Sequence, residues 1–166
     1  IDVSSGQETE IAEHLVKKLE QMGFAITRDE AGATFGGVCG NILAVREGER
    51  DGVVCFCSHM DRVPGGIGIK PVEEDGILRS SGDTILAADD LSGVAAILEG
   101  VRQAIESGKA LPKLEILFTV GEEAGLYGAK AFDVSLLTSK TMYVLDSPGR
   151  IGRIVNCLLY TSDAAD

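Results

Sequence analysis

The sequence contains two histidines and 26 acidic residues. Seven of these stand out by position. They are His59 and Asp61 in "CSHMD", Asp89 and Asp90 in "LAADDLSG", Glu122 and Glu123 in "FTVGEEAG", and Asp146 in "VLDSPG". Glu122 and Glu123 follow an apolar run directly, and adjacent carboxylates in a crevice raise each other's pKa while burial disfavours the ions. Divalent cations remove that cost and become the largest local charges. One histidine among several carboxylates suits zinc, manganese or cobalt, whereas pure oxygen ligation would suit magnesium or calcium. Two such ions about 3.5–4 Å apart would share a bridging carboxylate, and hydrolases use such pairs to activate water and hold the substrate oxygen.

Taken singly, each residue has a plainer use. Asp89 or Asp90 could cap the helix that begins at Leu91. Glu122 and Glu123 could favour a helix N-terminus, and Asp146 could form an Asx-turn before Ser-Pro-Gly. His59 alone could be structural. The constellation is more specific than any member, because the predicted elements bring these residues together.

Those elements read as follows. "SSGQETEIAEHLVKKLEQMGF" opens with a capping box, Ser5-x-x-Glu8. Ile11, Leu15, Leu19 and Met22 then recur at helical spacing up to Gly23. "NILAV" and "GVVCFCS" are strand-like and are joined by the polar turn "REGERDG". "IKPVEEDGILRSS" predicts a hairpin near 69–80 turning at Asp75-Gly76. "LSGVAAILEGVRQAIESG" is an amphipathic helix, "KLEILFTV" a strand, "LYGAKAFDVSLL" helical, "TMYVLD" a short strand, and "GRIVN" one more. Strand–helix–strand–helix–strand from Val53 to Leu145 predicts an α/β fold, a three-layer α/β/α arrangement with a mostly parallel sheet. In such sheets ligands bind beyond the carboxyl ends of the strands. His59, Glu122 and Asp146 each follow a strand, so they converge there. His14 lies at the edge of the first helix's apolar face and reads as structural or solvent-facing.

Composition excludes several alternatives. The formal charge of −11 argues against a nucleic-acid partner, which would need a basic face. No apolar run approaches a membrane span, and no signal-peptide pattern opens the chain. Cys39, Cys55, Cys57 and Cys157 show no secreted disulfide framework; Cys55 and Cys57 read as small buried hydrophobes. Together these set the expectation of a cytoplasmic protein. There is no G-x-S-x-G, H-E-x-x-H or G-x-x-x-x-G-K-[ST], and "GGIGIKP" lacks the spacing of a dinucleotide fingerprint.

In this order, "SHMDRVPGG", "ILAADDLSGVAAILE", "FTVGEEAGLYGAK" and "YVLDSPG" resemble the dinuclear zinc aminopeptidases of the peptidase T type. These belong to the wider zinc exopeptidase family that includes carboxypeptidase G, aminoacylase and succinyl-diaminopimelate desuccinylase. The resemblance runs from about Ser5 to about Asn156. It implies His59, Asp89 and Asp146 as ligands of one zinc ion, with Asp89 bridging to a second ion held also by Glu123. It implies Glu122 as general base and Asp61 as the carboxylate that orients His59. It further implies a cis peptide between Asp89 and Asp90, a short-peptide substrate losing its N-terminal residue, and a homodimeric parent. Mn2+ or Co2+ could replace zinc. A carboxypeptidase, an amide deacylase or an inactive metal-binding fragment are the alternatives.

The resemblance also implies a final histidine for the second metal, supplied from beyond an inserted dimerisation domain, and no residue here matches it. Residues 1–156 are expected to form the N-terminal part of the catalytic domain. "CLLYTSDAAD", 157–166, resembles translated adaptor read-through and is expected to be a non-native tail.

Overall fold

The computed structural model describes residues 1–156; the expected non-native tail at 157–166 lies outside the described residues. The element order is α1 (Thr9–Gln21), β1 (Ala25–Arg28), β2 (Ile42–Arg46), β3 (Val53–His59), β4 (Pro71–Glu74), β5 (Ile77–Ser80), α2 (Ala88–Glu106), β6 (Lys113–Thr119), α3 (Tyr127–Ala131) and β7 (Met142–Val144). Short 3-10 turns lie at Ala31–Thr34 and Val134–Leu136.

The main sheet has the order β1-β2-β6-β3-β7. It is α/β, as expected, and mixed: β3 runs parallel to β6 and β7, while β1–β2 and β2–β6 are antiparallel. The parallel half follows from the two crossovers, one through α2 and one through α3. The antiparallel half arises because β2 turns back towards β3's side of the sheet without a helix between. The second sheet is the expected hairpin, β4 against β5. It turns at Asp75 and Gly76 with φ of 53° and 75°, the signature of a tight hairpin turn for Asp-Gly.

Alternation along the strands sorts the faces. Ile42 and Ala44 of β2 and Ile116 and Phe118 of β6 point to one side. There they join Ile11, Leu15 and Leu19 of α1 and Val94, Ile97 and Val101 of α2 in one core. The other face carries Leu43, Cys55, Cys57, Glu115 and Leu117, all buried. The segment between α3 and β7 crosses that face: Glu115 accepts hydrogen bonds from the backbone N–H of Thr138 and Ser139 at 2.8 and 3.0 Å.

Three local expectations are corrected. Ser5 and Glu8 do not form a capping box. Glu8 stands at the N-cap of α1 with no side-chain cap bond, and both side chains turn inward to partners described below. The stretch expected to be one helix after Leu126 breaks at Phe132, where Asp133 accepts from Ser135 N and starts a separate 3-10 turn. "GRIVN", residues 152–156, forms no strand among the described residues; Ile154 is exposed, and no described strand offers it a partner. An unexpected strand, β1, lies at the sheet edge. Its side chains are mostly exposed, so no apolar alternation announced it. Among the described residues, no helix is long and apolar enough to cross a membrane.

Candidate metal centre

Strand register builds the site. Along β3 and β6, Cys57 pairs with Leu117 and His59 with Thr119, so the two strands end level. Along β3 and β7, Cys57 pairs with Val144, and Leu145 N donates to Cys57 O at 3.0 Å. The same register carried onward sets Asp146 opposite His59. Helix α2 enters from the side. Ser58 Oγ donates to Asp90 Oδ2 at 2.5 Å, and Asp90 Oδ1 accepts from Gly93 N at 3.1 Å. Asp89 and Asp90 have non-helical backbone angles, so Asp90 caps the regular part of α2 from a buried position, which leaves Asp89 free to face His59. The Asp89–Asp90 peptide is cis, as the resemblance implies. Gly93 permits this approach, since a Cβ there would lie 2.5 Å from Leu145 O and 2.3 Å from Asp90 Oδ1.

His59 is 3% exposed. Its Nδ1 lies 3.0 Å from the main-chain oxygen of Asp61 and 3.4 Å from Asp61 Oδ1. The nearer partner is the carbonyl, so the Asp61 backbone fixes the ring first and its carboxylate adds charge. On the other side Nε2 faces Asp89 Oδ1 at 3.2 Å and Glu122 Oε2 at 3.9 Å. The Asp61 carboxylate has further partners. It accepts from Glu122 N and Glu123 N at 3.0 and 3.1 Å and from Ser5 Oγ at 2.5 Å. One buried side chain thus ties the histidine strand to the glutamate turn.

The electrostatics follow from this crowding. Burial alone would push His59 towards the neutral ring. The hydrogen bond and charge of Asp61, then the charge of Asp146 and the hydrogen bond of Asp89, override it and raise the pKa to about 9. Burial raises Asp146 to about 6, helped by the charges of Asp90 and Asp89 and opposed by His59. Burial and then Asp89 also raise Glu123. Asp61 is lowered: burial opposes its ionisation, but its bonds to His59, Ser5 and the Glu122 N–H prevail.

Two sets of side chains can bring one ligand atom each to within 4.8 Å of one another: His59, Asp89 and Asp146, and His59, Glu122 and Glu123. The two sets share His59, with Asp61 beside it and Asp90 committed to capping. His14 is exposed and belongs to neither set. Burial pushes the thiols of Cys55 and Cys57 up to about 12, so they are neutral apolar groups at physiological pH. Sequence reasoning missed the inward roles of Ser5, Glu8, Asn41 and Ser58. Ser5 and Glu8 were hidden by a spacing that fits a capping box.

Residues 41–165 match the sequence model of peptidase family M28. An uncharacterised protein of Bacillus subtilis, YqjE, is 38% identical over 156 residues, covering 93% of this chain and 42% of that protein. The crystal structure of aminopeptidase PepT from Bacillus cereus superposes with a TM-score of 0.88 at 40% identity, over 92% of this chain and 41% of that one. A tripeptidase from Staphylococcus aureus gives a TM-score of 0.84 at 34% identity, over 90% and 40%. The chain thus spans about two-fifths of the relatives it matches. With the family match extending over most of the sequence and the site's elements in place, the chain belongs to peptidase family M28.

Proposed function

We propose that this chain is the metal-binding part of an aminopeptidase that removes the N-terminal residue from short peptides, tripeptides among them. One observation carries the reading: His59 and Asp146, at the ends of the parallel strands β3 and β7, converge with Asp89 at the start of α2, and no donor from the described residues is spent on the Asp146 carboxylate. That donor set fits a divalent cation of the zinc, manganese or cobalt kind. His59, Asp89 and Asp146 would hold one ion, and Asp89 with Glu123 would contribute to a second whose remaining ligand is not among these residues. Such an ion, when bound, polarises a carbonyl and makes a water more acidic.

The chain's own residues do the rest. The Asp61 carbonyl keeps the Nδ1 proton of His59 in place and leaves Nε2 as the ligand atom. Since the metal-free ring holds its second proton up to about pH 9, ion uptake displaces that proton. Glu122 reaches the same space but is not needed to complete the first donor set. It would accept a proton from the attacking water and deliver it to the leaving amine. The names of the solved relatives, an aminopeptidase and a tripeptidase, support cleavage at a free N-terminus.

The test is a substrate panel on the full-length protein, loaded with zinc. The expected result is release of the first residue from tripeptides, abolished by chelator. Cleavage of N-acylated amino acids alone, with tripeptides untouched, would overturn the aminopeptidase reading in favour of a deacylase.

A further inference from the structure

In the turn that carries Glu122 and Glu123, the carbonyls of Val120, Gly121 and Glu122 accept from backbone amides of residues 125–128, while the turn's own amides are held by side chains. Four consecutive backbone amides each find a side-chain acceptor. Val120 N donates to Asn41 Oδ1 at 3.1 Å and Gly121 N to Glu8 Oε1 at 3.0 Å. Glu122 N and Glu123 N donate to the two oxygens of Asp61. These three acceptors come from three different parts of the chain, and each is at most 1% exposed. Gly121 itself has φ of +59°, and a Cβ there would lie 2.6 Å from the Phe35 ring. Position 121 is therefore restricted to glycine, and the buried side chains beneath the turn hold its amide side.

Glu8 is the acceptor that fold stability explains least. It stands at the start of α1, where a carboxylate could cap the helix, yet it makes no cap bond. Its Oε1 instead accepts from Gly6 N at 2.8 Å and from Gly121 N. Its Oε2 is buried with no hydrogen-bond partner among the described residues. Burying a carboxylate that is only half satisfied is costly. Ser5, on the same segment, donates to Asp61 Oδ2. The N-terminal segment thus reaches both supports of the glutamate turn.

We propose that Glu8 and Ser5 are positioning residues for the site. Glu8 fixes Gly121, and with it the point from which Glu122 and Glu123 project. Ser5 fixes the carboxylate of Asp61, which holds the next two amides. The inference rests on the reading that His59 and the neighbouring carboxylates bind a divalent cation.

The test is Co2+ titration of the 166-residue chain, followed by visible absorption, which reports ligand geometry. The comparison includes Glu8→Ala, Glu8→Gln, Ser5→Ala and a control, Glu115→Ala. Glu115 is as buried as Glu8 and also holds two backbone amides, but near the opposite end of β6. Glu8→Ala should weaken Co2+ binding about 10-fold or more and change the absorption bands, in the range known for residues that support ligands. Glu8→Gln should restore both, because the amide oxygen still accepts from Gly121. Ser5→Ala should shift the bands in a chain that remains folded, so the inference is tested even if Glu8→Ala does not fold. Glu115→Ala should lower thermal stability with the bands unchanged.

Wild-type affinity and bands in both Glu8→Ala and Ser5→Ala would overturn the inference. So would an effect of Glu115→Ala on the bands equal to that of Glu8→Ala. A wild-type chain that takes up no Co2+ would overturn the metal reading, and this inference with it.

Discussion

Strand β6 has acidic residues near both ends, and the two ends treat them differently. Near its start, Glu115 is buried, and each of its oxygens accepts a backbone N–H, from Thr138 and Ser139. Past its end, Glu122 and Glu123 share their space with Asp89, Asp146 and His59. There the backbone amides of the glutamates are satisfied by Asp61, but the carboxylates are desolvated and face like charges, and burial first, then those charges, raise Glu123 and Asp146. A carboxylate used to hold a fold is given donors; those at the strand ends are given a histidine and one another. That is the arrangement a cation resolves.

The comparison can be broken most severely at Glu122. Glu122→Gln in the full-length protein should leave bound zinc unchanged while lowering kcat about 10^2–10^4-fold, the usual worth of a positioned proton-transfer group. Turnover close to wild type would remove Glu122 from the role of base. Next in size is Asp146→Asn. It should weaken zinc affinity well over 10-fold without lowering the thermal stability of the metal-free chain, because burial and the charges of Asp90 and Asp89 disfavour the ionised Asp146 carboxylate there. Equal zinc affinity in a calorimetric titration would show that the strand-end set does not include Asp146.

At the other end, Glu115→Ala strips two amides of their acceptor. It should cost about 1–3 kcal/mol for each group left unsatisfied, read as a lower midpoint in urea. An unchanged midpoint would make Glu115 dispensable to the fold. The smallest effect expected is on pH dependence. In the metal-free chain, His59 has a folded pKa of about 9 against an ordinary 6.5. Its contribution to stability is fully present below about pH 6.5 and is lost as pH rises through about 9. Urea unfolding across pH 6–10 should show that decline, and His59→Gln should flatten it. A wild-type profile already flat over that range would contradict the charged histidine.

Much of this was legible in the sequence, for physical reasons. Apolar runs ending in acids marked β3 and β6, and the helical spacing of Ile11, Leu15 and Leu19 marked α1. Each of those patterns is enforced by burial, so each survives as a local signal. The convergence of His59, Glu122, Glu123 and Asp146 followed from the rule for parallel strands, and that of Asp89 from its place at the start of the crossover helix. What failed was either exposed or long-range. β1 is an edge strand with little to bury, and "GRIVN" has strand-like composition without a described partner. Ser5 and Glu8 obey a local capping rule, but Asp61 and Gly121 lie far along the chain and outbid the helix end for their side chains. No local pattern can report that competition.

The most direct measurement counts metal. The 166-residue chain is equilibrated with Zn2+, freed of excess by gel filtration, and assayed for zinc per chain. The account predicts one tightly held ion, removed by chelator and absent in His59→Ala, because under the proposal His59, Asp89 and Asp146 would hold one ion between them. A chain that retains no zinc, or one that retains it equally well without His59, would contradict the claim that these strand ends form a metal centre.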